Sequence, residues 1–542
     1  MRCFLSTRRG LESSLANELV SLGYDRKQLQ LQRCGVLLPD AELRDVYLLN
    51  YMSRVASRVS VELGRFHCSS KADFIDGLRS VDWTQVFRAR ARRSSGSTDP
   101  PQTFAVNSQL IVPHLPSQGA PAAPVDSAPP SSSEGGAMGW ATSTRYLSQL
   151  VKDAILDRLD TTRPTSSEAK AAAVPGGVDV AADVGSEACV RVVLKDPQRL
   201  VRVVAHGDGE VVVQIDTTGP QQSLSRRPYL DVTLPYSLDP CTASAMLLSS
   251  GFAHEHVNND DHTQDTPTSR DQQTRRRPTA SLLDPMCGTG TILVEAALMA
   301  TRTPCGYMRP EHSWGFQHLP FHDPGLWLAT RQECDRRMVL PNSREWRRLE
   351  GRLVGCEEGW REIVGTIKNA EKANVLPLIN VHHGKFQDLL LTKPAGAKAP
   401  QQPAAGSLST ALFDHILVDP PYVPMDISGL LTTDRDAQQT LAEDDPADER
   451  ETVRSLSGLL GDDKCRSLDA LYGDLRVLMD MKIRRGAEWG GGKRRHGCIL
   501  LPHPLARGLF PRKLRLWSEF AVLRFRNCLQ FATTIALPGT DD

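Results

Sequence analysis

The chain has 542 residues, too many for one ordinary hydrophobic core, so two or three domains are expected. Hydrophobic residues make up 40% and charged residues 24%, the balance of a globular protein, and no apolar run is long enough to span a bilayer. Sixty-four basic residues offset sixty-four acidic ones, so any attraction to a polyanion must come from local clusters rather than net charge.

The opening ten residues, Met1 to Gly10, are basic and lack acids. They read either as a targeting peptide or as a first strand, Arg2 to Ser6. The strand reading is preferred, because a helix from Gly10 to Leu22 follows with Leu11, Leu15 and Leu19 spaced by four. The expected location is therefore cytoplasmic, with a mitochondrion or other organelle as the alternative. Strand Gly35 to Leu38, helix Leu43 to Ala56 and strand Val59 to Leu63 complete a first unit, 1–65. A second α+β unit, 66–216, contains helix Lys71 to Leu78, strand Thr103 to Val106 and helix Tyr146 to Leu159. It ends in strands Cys189 to Leu194, Val201 to Val204 and Glu210 to Ile215. Tracts rich in Pro, Ser, Ala and Gly, such as Pro113 to Met138 and Pro164 to Gly185, interrupt it and read as loop insertions.

Residues 217–279 read as a linker helix and a polar tract. From 280 to 542 strand, turn and helix repeat, which implies an α/β, doubly wound, Rossmann-like sheet. Its predicted strands are Ala280 to Leu283, Leu353 to Glu357, one near Val381, Ile416 to Val418 and Cys498 to Pro502. Phe520 to Phe525 and Thr533 to Leu537 close the sheet as an antiparallel pair. The intervening helices are Thr291 to Ala300, Arg361 to Ala373 and Leu468 to Lys482.

Two motifs follow predicted strands. The first is Asp284-Pro285-Met286-Cys287-Gly288-Thr289-Gly290-Thr291. Its glycines permit tight curvature and close approach of a ligand, yet it has neither dinucleotide-fingerprint nor P-loop spacing, and no lysine follows Gly290. A loop cradling the amino-acid end of S-adenosylmethionine fits better than a phosphate loop. Glu357 ends the next strand, where a doubly wound fold places a carboxylate for ribose hydroxyls; Glu358 and a plain helix-start acid are the competing readings.

The second motif, Asp419-Pro420-Pro421-Tyr422, lies 135 positions after the first (419 − 284). Its prolines fix the backbone and leave carbonyls free. Asp419 and the Pro420 carbonyl can accept both hydrogens of an exocyclic amine, and Tyr422 offers a face for a flipped base. Together the motifs imply methyl transfer from S-adenosyl-L-methionine to an amino group on a base.

No metal site is expected. The twelve cysteines include no Cys-x-x-Cys pair, which suits free thiols in a reducing compartment, and His254, His256 and His262 sit in a low-complexity tract. Cys287 has no positioned base and reads as a small apolar residue. Basic clusters at Arg275 to Arg277, Arg331 to Arg352 and Lys493 to Arg495 suit a phosphate backbone or merely solvated faces.

The loop at 284–291, with Glu295-Ala296-Ala297, resembles the THUMP-domain RNA guanine-N2 methyltransferases, and most closely the bacterial enzymes acting on large-subunit ribosomal RNA. Ser6 to Glu12, Ser53 to Val59, Val81-Asp82-Trp83, Thr103 to Val106, Val151 to Ile155 and Trp314-Gly315-Phe316 extend the resemblance over most of the chain. It implies a ferredoxin-like domain, a THUMP RNA-binding domain and a Rossmann-like methyltransferase domain. It also implies S-adenosylmethionine as donor, held by Asp284 to Thr291 and Glu357, and N2-methylguanosine as product. The partner is then RNA, ribosomal or, alternatively, transfer RNA. The chain departs from the family at Asp419, where the nearest relatives carry Asn, and at Val423-Pro424-Met425. It departs again at Lys385, which stands where an adenine-binding acid is expected, with Asp388 able to substitute. An RNA-binding homologue with weakened catalysis is the remaining alternative.

Overall fold

The computed structural model describes residues 1–87, 101–111, 138–141, 143–161, 190–235, 237–252, 280–389, 412–420, 474, 475, 478, 496–501, 515–524 and 528–536. Among them, no helix is long and apolar enough to cross a membrane.

The first half is built on an eight-stranded sheet in the order β2-β3-β1-β4-β8-β7-β5-β6. Its strands are β1 (Cys3–Ser6), β2 (Gln30–Gln32), β3 (Gly35–Leu38), β4 (Arg58–His67), β5 (Gln102–Ile111), β6 (Val190–Val192), β7 (Arg199–His206) and β8 (Glu210–Asp216). Helices α1 (Glu12–Ser21), α2 (Leu43–Met52), α3 (Lys71–Ser80) and α4 (Thr144–Thr161) accompany it. Leu11, Leu15 and Leu19 are fully buried, as their spacing requires. In β1 and β4, Leu5, Val59 and Val61 join the same core.

The boundary expected near residue 65 falls inside β4, which is longer than its apolar run. Residues 58–61 pair with β1, and residues 60–67 pair with β8. One ladder thus spans the two units, because backbone pairing continues where side-chain alternation fades.

Of the expected linker, α5 (Pro240–Ser249) is packed rather than bridging. It is buried from Pro240 to Leu247, and its N-cap Asp239 accepts from Thr242 N at 3.2 Å. Ala243, Met246 and Leu247 join the core of the second half.

That half is a seven-stranded sheet in the order β11-β10-β9-β12-β13-β15-β14. The strands are β9 (Leu282–Asp284), β10 (Leu353–Glu357), β11 (Ile379–His383), β12 (His415–Val418), β13 (His496–Leu501), β14 (Arg515–Arg524) and β15 (Cys528–Ala536). Strands β9 to β13 run parallel, and β14 and β15 are antiparallel, as the sequence suggests. The helices are α6 (Thr291–Ala300), α7 (Pro324–Asp335), α8 (Arg344–Leu349) and α9 (Trp360–Lys372). Of the helix expected from Leu468 to Lys482, residues 474, 475 and 478 are described, and all three are helical. Chain order runs outward from β9 to β11 and then returns to β12 on β9's other side. The carboxyl ends of β9 and β12 therefore flank a topological switch point, where such sheets bind ligands.

Candidate active site

The first motif and the described start of the second, Asp419 and Pro420, sit at that switch point. Strands β9 and β12 are direct parallel neighbours, with Ile416 beside Leu283. The loop after β9 and the start of the loop after β12 are therefore about one strand spacing apart, roughly 4.8 Å. Asp419 is half-buried and Pro420 buried; Pro421, Tyr422 and Val423-Pro424-Met425 lie outside the described residues.

The Gly loop is held from several sides. Gly290 N donates to Cys287 O at 2.8 Å, and Cys287 N donates to Cys356 O at 3.0 Å. Gly290 has φ +77°, and a Cβ there would meet Thr366 Cγ2 at 2.5 Å. Gly288 is also left-handed, with φ +54°, but among the described residues no atom lies within 4 Å of its Cβ position. One glycine thus serves packing, and the other leaves a face open to a ligand. From α9, Thr366 Oγ1 donates to Gly288 O at 2.8 Å, and Asn369 Nδ2 donates to Thr289 O at 3.0 Å. Asn369 Oδ1 also accepts from Asp231 N and Val232 N, both at 2.9 Å. These two residues were not singled out in the sequence. Their signal is a pair of polar residues one turn apart on a buried helix face.

Glu357, expected at a ribose, also anchors the loop. Its Oε2 accepts from Gly288 N at 2.9 Å, and its Oε1 accepts from Glu358 N at 2.9 Å and Gly359 N at 3.0 Å. A carboxylate has about four acceptor sites, so one remains for a ligand hydroxyl. Asp388 lies on a short turn, Phe386–Leu389, beyond β11, and its N donates to Lys385 O at 3.0 Å. Lys385 pairs with Glu358 at 3.5 Å on the surface. It lies beyond β11 without entering the carboxylate cluster.

That cluster sets the electrostatics. Asp284 is fully buried. Burial pushes its carboxyl well above the usual range; the Met286 N–H, donating at 3.2 Å, opposes this, and the charges of Asp419 and Glu357 add to it. The Cys287 thiol is raised by burial first and then by Asp284 and Glu357, so it is no nucleophile. Asp284, with the charges of Asp419 and Glu357 near it, forms a carboxylate cluster that suits a cation. Thr291 Oγ1 is buried at the loop's end with no partner among the described residues. The open Gly288 face, the carboxylate cluster and this hydroxyl fit S-adenosylmethionine, whose ammonium and sulfonium are cationic. Among the described residues no cluster suitable for a metal occurs.

One turn into α6, Glu295 ties the catalytic half to the other. Its Oε2 accepts from Arg54 Nη1 at 3.1 Å and Ser244 Oγ at 2.9 Å, and its Oε1 accepts from Arg227 Nε and Tyr229 Oη, both at 2.9 Å. Arg54 also donates to Leu298 O and Thr303 O, and Arg227 to Leu224 O and Arg54 O. Glu18 completes the seam, accepting from Ser53 Oγ at 2.6 Å and Arg54 N at 2.7 Å. The first sheet is thereby fastened to the helix that carries the Gly loop.

Comparison with known proteins bears on this geometry. Residues 272–423 match the family model of the RMKL-like methyltransferase domain. Residues 2–60 match that of the RlmL ferredoxin-like domain. Among curated proteins, the chain is 26% identical over 420 residues to "Ribosomal RNA large subunit methyltransferase K/L" of Aeromonas hydrophila, covering 77% of this chain and 45% of that protein. The namesake of Shewanella amazonensis is 25% identical over 423 residues, covering 77% and 43%. The chain thus spans less than half the length of these relatives. Among solved structures, SMU.472 complexed with SAH superposes with a TM-score of 0.59 at 16% identity, covering 100% of this chain and 98% of that one. TrmN from Thermus thermophilus gives 0.52 at 15% identity, covering 99% of each. These two likenesses establish the fold, a Rossmann-like sheet preceded by an α+β half.

Proposed function

We propose that this chain is an S-adenosylmethionine-dependent RNA methyltransferase that modifies the exocyclic N2 of guanine, with large-subunit ribosomal RNA as substrate. The carrying observation is the pairing of β9 with β12, which sets the Asp284 loop beside Asp419. The names of the relatives support ribosomal RNA. Asp419, where those relatives' motif has Asn by the family resemblance, favours transfer RNA as the second reading.

In this proposal residues 1–65 form a ferredoxin-like domain and 66–216 a THUMP RNA-binding domain, joined by the shared strand β4. Residues 217–279 connect them to the methyltransferase domain, 280–542, and the protein acts in the cytoplasm. Asp284 to Thr291 hold the donor's amino-acid end, Glu357 takes a ribose hydroxyl, and Asp388 lies on the adenine side. When bound, S-adenosylmethionine supplies an electrophilic sulfonium methyl. Asp419 and the Pro420 carbonyl accept the two hydrogens of the amine, which aims the nitrogen lone pair at the donor side. Pro421 keeps the backbone stiff, and Tyr422 stacks the base. Catalysis is then mainly alignment of two bound partners.

Nucleoside mass spectrometry of ribosomal and transfer RNA from cells lacking the protein tests this reading. N2-methylguanosine should fall in ribosomal RNA. A fall confined to transfer RNA selects the second reading, and no change in either pool rejects both.

A further inference from the structure

Of the described tryptophan side chains, Trp83, Trp314, Trp327 and Trp346 are buried and Trp140 is half-buried, whereas Trp360 is 65% exposed. Leaving so large an aromatic in water forfeits its burial free energy, so its position asks for a ligand. It opens α9 at the carboxyl end of β10, three residues past Glu357. Its ring meets His383 edge-on at 5.3 Å. His383 is the register partner of Glu357 on β11, and its Nε2 lies 3.1 Å from Glu358 O, so the ring is braced by the sheet.

The orientation separates it from the donor. Thr366 and Asn369 on the inner face of α9 hold the Gly loop. Trp360, Val364 and Lys368, four residues apart, form an exposed row on the opposite face, with Arg361 beside it. Of the neighbouring acids, Glu358 is paired with Lys385. An aromatic face followed by basic side chains is the pattern that binds single-stranded nucleic acid: stacking for the base, cations for the phosphates.

We propose that Trp360, with Lys368 and Arg361, forms a second RNA subsite, in which an unpaired nucleobase stacks on the indole beyond the donor pocket. The inference rests on the RNA methyltransferase reading above. RNA entering the acceptor side at β12 would cross the donor loop and reach this platform about two strand spacings away, roughly 10 Å. The subsite fixes the approach of the strand and takes no part in the chemistry.

The test uses the full chain, a fluorescein-labelled single-stranded oligoadenylate read by anisotropy, and S-adenosylhomocysteine read by calorimetry. Trp360→Ala should weaken oligonucleotide binding about five- to a hundredfold and leave S-adenosylhomocysteine affinity unchanged. Trp360→Phe should restore most of the RNA affinity. Lys368→Ala should lower the salt slope of RNA binding by about one. Unchanged oligonucleotide affinity in Trp360→Ala overturns the subsite, as does an equal loss for S-adenosylhomocysteine, which would place donor adenine on the indole. If the unmodified chain does not bind the oligonucleotide, the subsite is overturned, while the RNA methyltransferase reading still stands or falls by the nucleoside analysis above.

Discussion

Two buried acids on one continuous strand, loop and helix have opposite surroundings. Glu295, on α6, receives two arginines, a tyrosine and a serine. Burial alone would raise its carboxyl, yet Arg227 and Arg54 hold it below the ordinary glutamate value. Asp284, at the end of β9, receives the Met286 N–H and faces Asp419 and Glu357, and its carboxyl is raised. The first acid is neutralised by the protein itself and fixes architecture. The second is left electrostatically unfavourable, a state that a bound cation relieves. On the proposed function, stability and donor binding are divided between two carboxylates of the same loop–helix unit.

Breaking the saturated side should cost most. Glu295→Gln leaves two buried guanidiniums without a counter-charge and should lower unfolding free energy by about 3–5 kcal/mol, read by urea titration. A loss under about 1 kcal/mol would mean the cluster is hydrated rather than dry. The pH dependence has a definite sign. Because the folded value of Glu295 is lowered, its contribution is present above the ordinary glutamate range and is lost as pH falls through the lowered value.

The two loop glycines sharpen the comparison. Gly290→Ala forces a left-handed alanine against Thr366 and should cost about 2–4 kcal/mol. Gly288→Ala meets open space and should cost only the backbone strain, about 1–2 kcal/mol. It should nonetheless lose donor binding, because its methyl fills the cradle. Calorimetric unfolding with donor titration separates the two, and equal effects on stability and binding would remove the distinction drawn between them.

The smallest stability change belongs to Asp284. Asp284→Asn should stabilise the free protein near pH 7, because burial opposes the ionised carboxylate, yet weaken S-adenosylmethionine at least about tenfold. The raised carboxyl of the free protein makes its stability contribution greatest in acid, and that contribution is lost as pH rises through the raised value. A cationic donor favours the ionised form, so binding should release protons and tighten as pH rises through the same interval. Calorimetry in buffers of different ionisation enthalpy measures this, and proton uptake would reverse the assignment.

Much of this was legible in the sequence. The Leu11, Leu15 and Leu19 spacing, the Gly loop and the β12 run before Asp419 are short-range patterns, and each appears where its chemistry requires. The continuity of β4 across both units was not, since strand pairing depends on partners more than a hundred residues away. The seam around Glu295 was hidden for the same reason. Arg54, Arg227 and Tyr229 are ordinary residues until the fold brings them to one carboxylate. Thr366 and Asn369 read as helix polarity until α9 is docked on the loop. Pro421 and Tyr422, proposed for the acceptor side, lie outside the described residues and stand on the motif alone.

The central claim, that the Asp284 loop and Asp419 form the donor and acceptor sides of one methyl-transfer site, has a direct measurement. Transfer of labelled methyl from S-adenosylmethionine to large-subunit ribosomal RNA should be readily detected with the unmodified chain. It should be abolished by Asp419→Ala, with S-adenosylmethionine affinity nearly intact. Full transfer by Asp419→Ala, or loss of donor binding in step with transfer, would contradict the account.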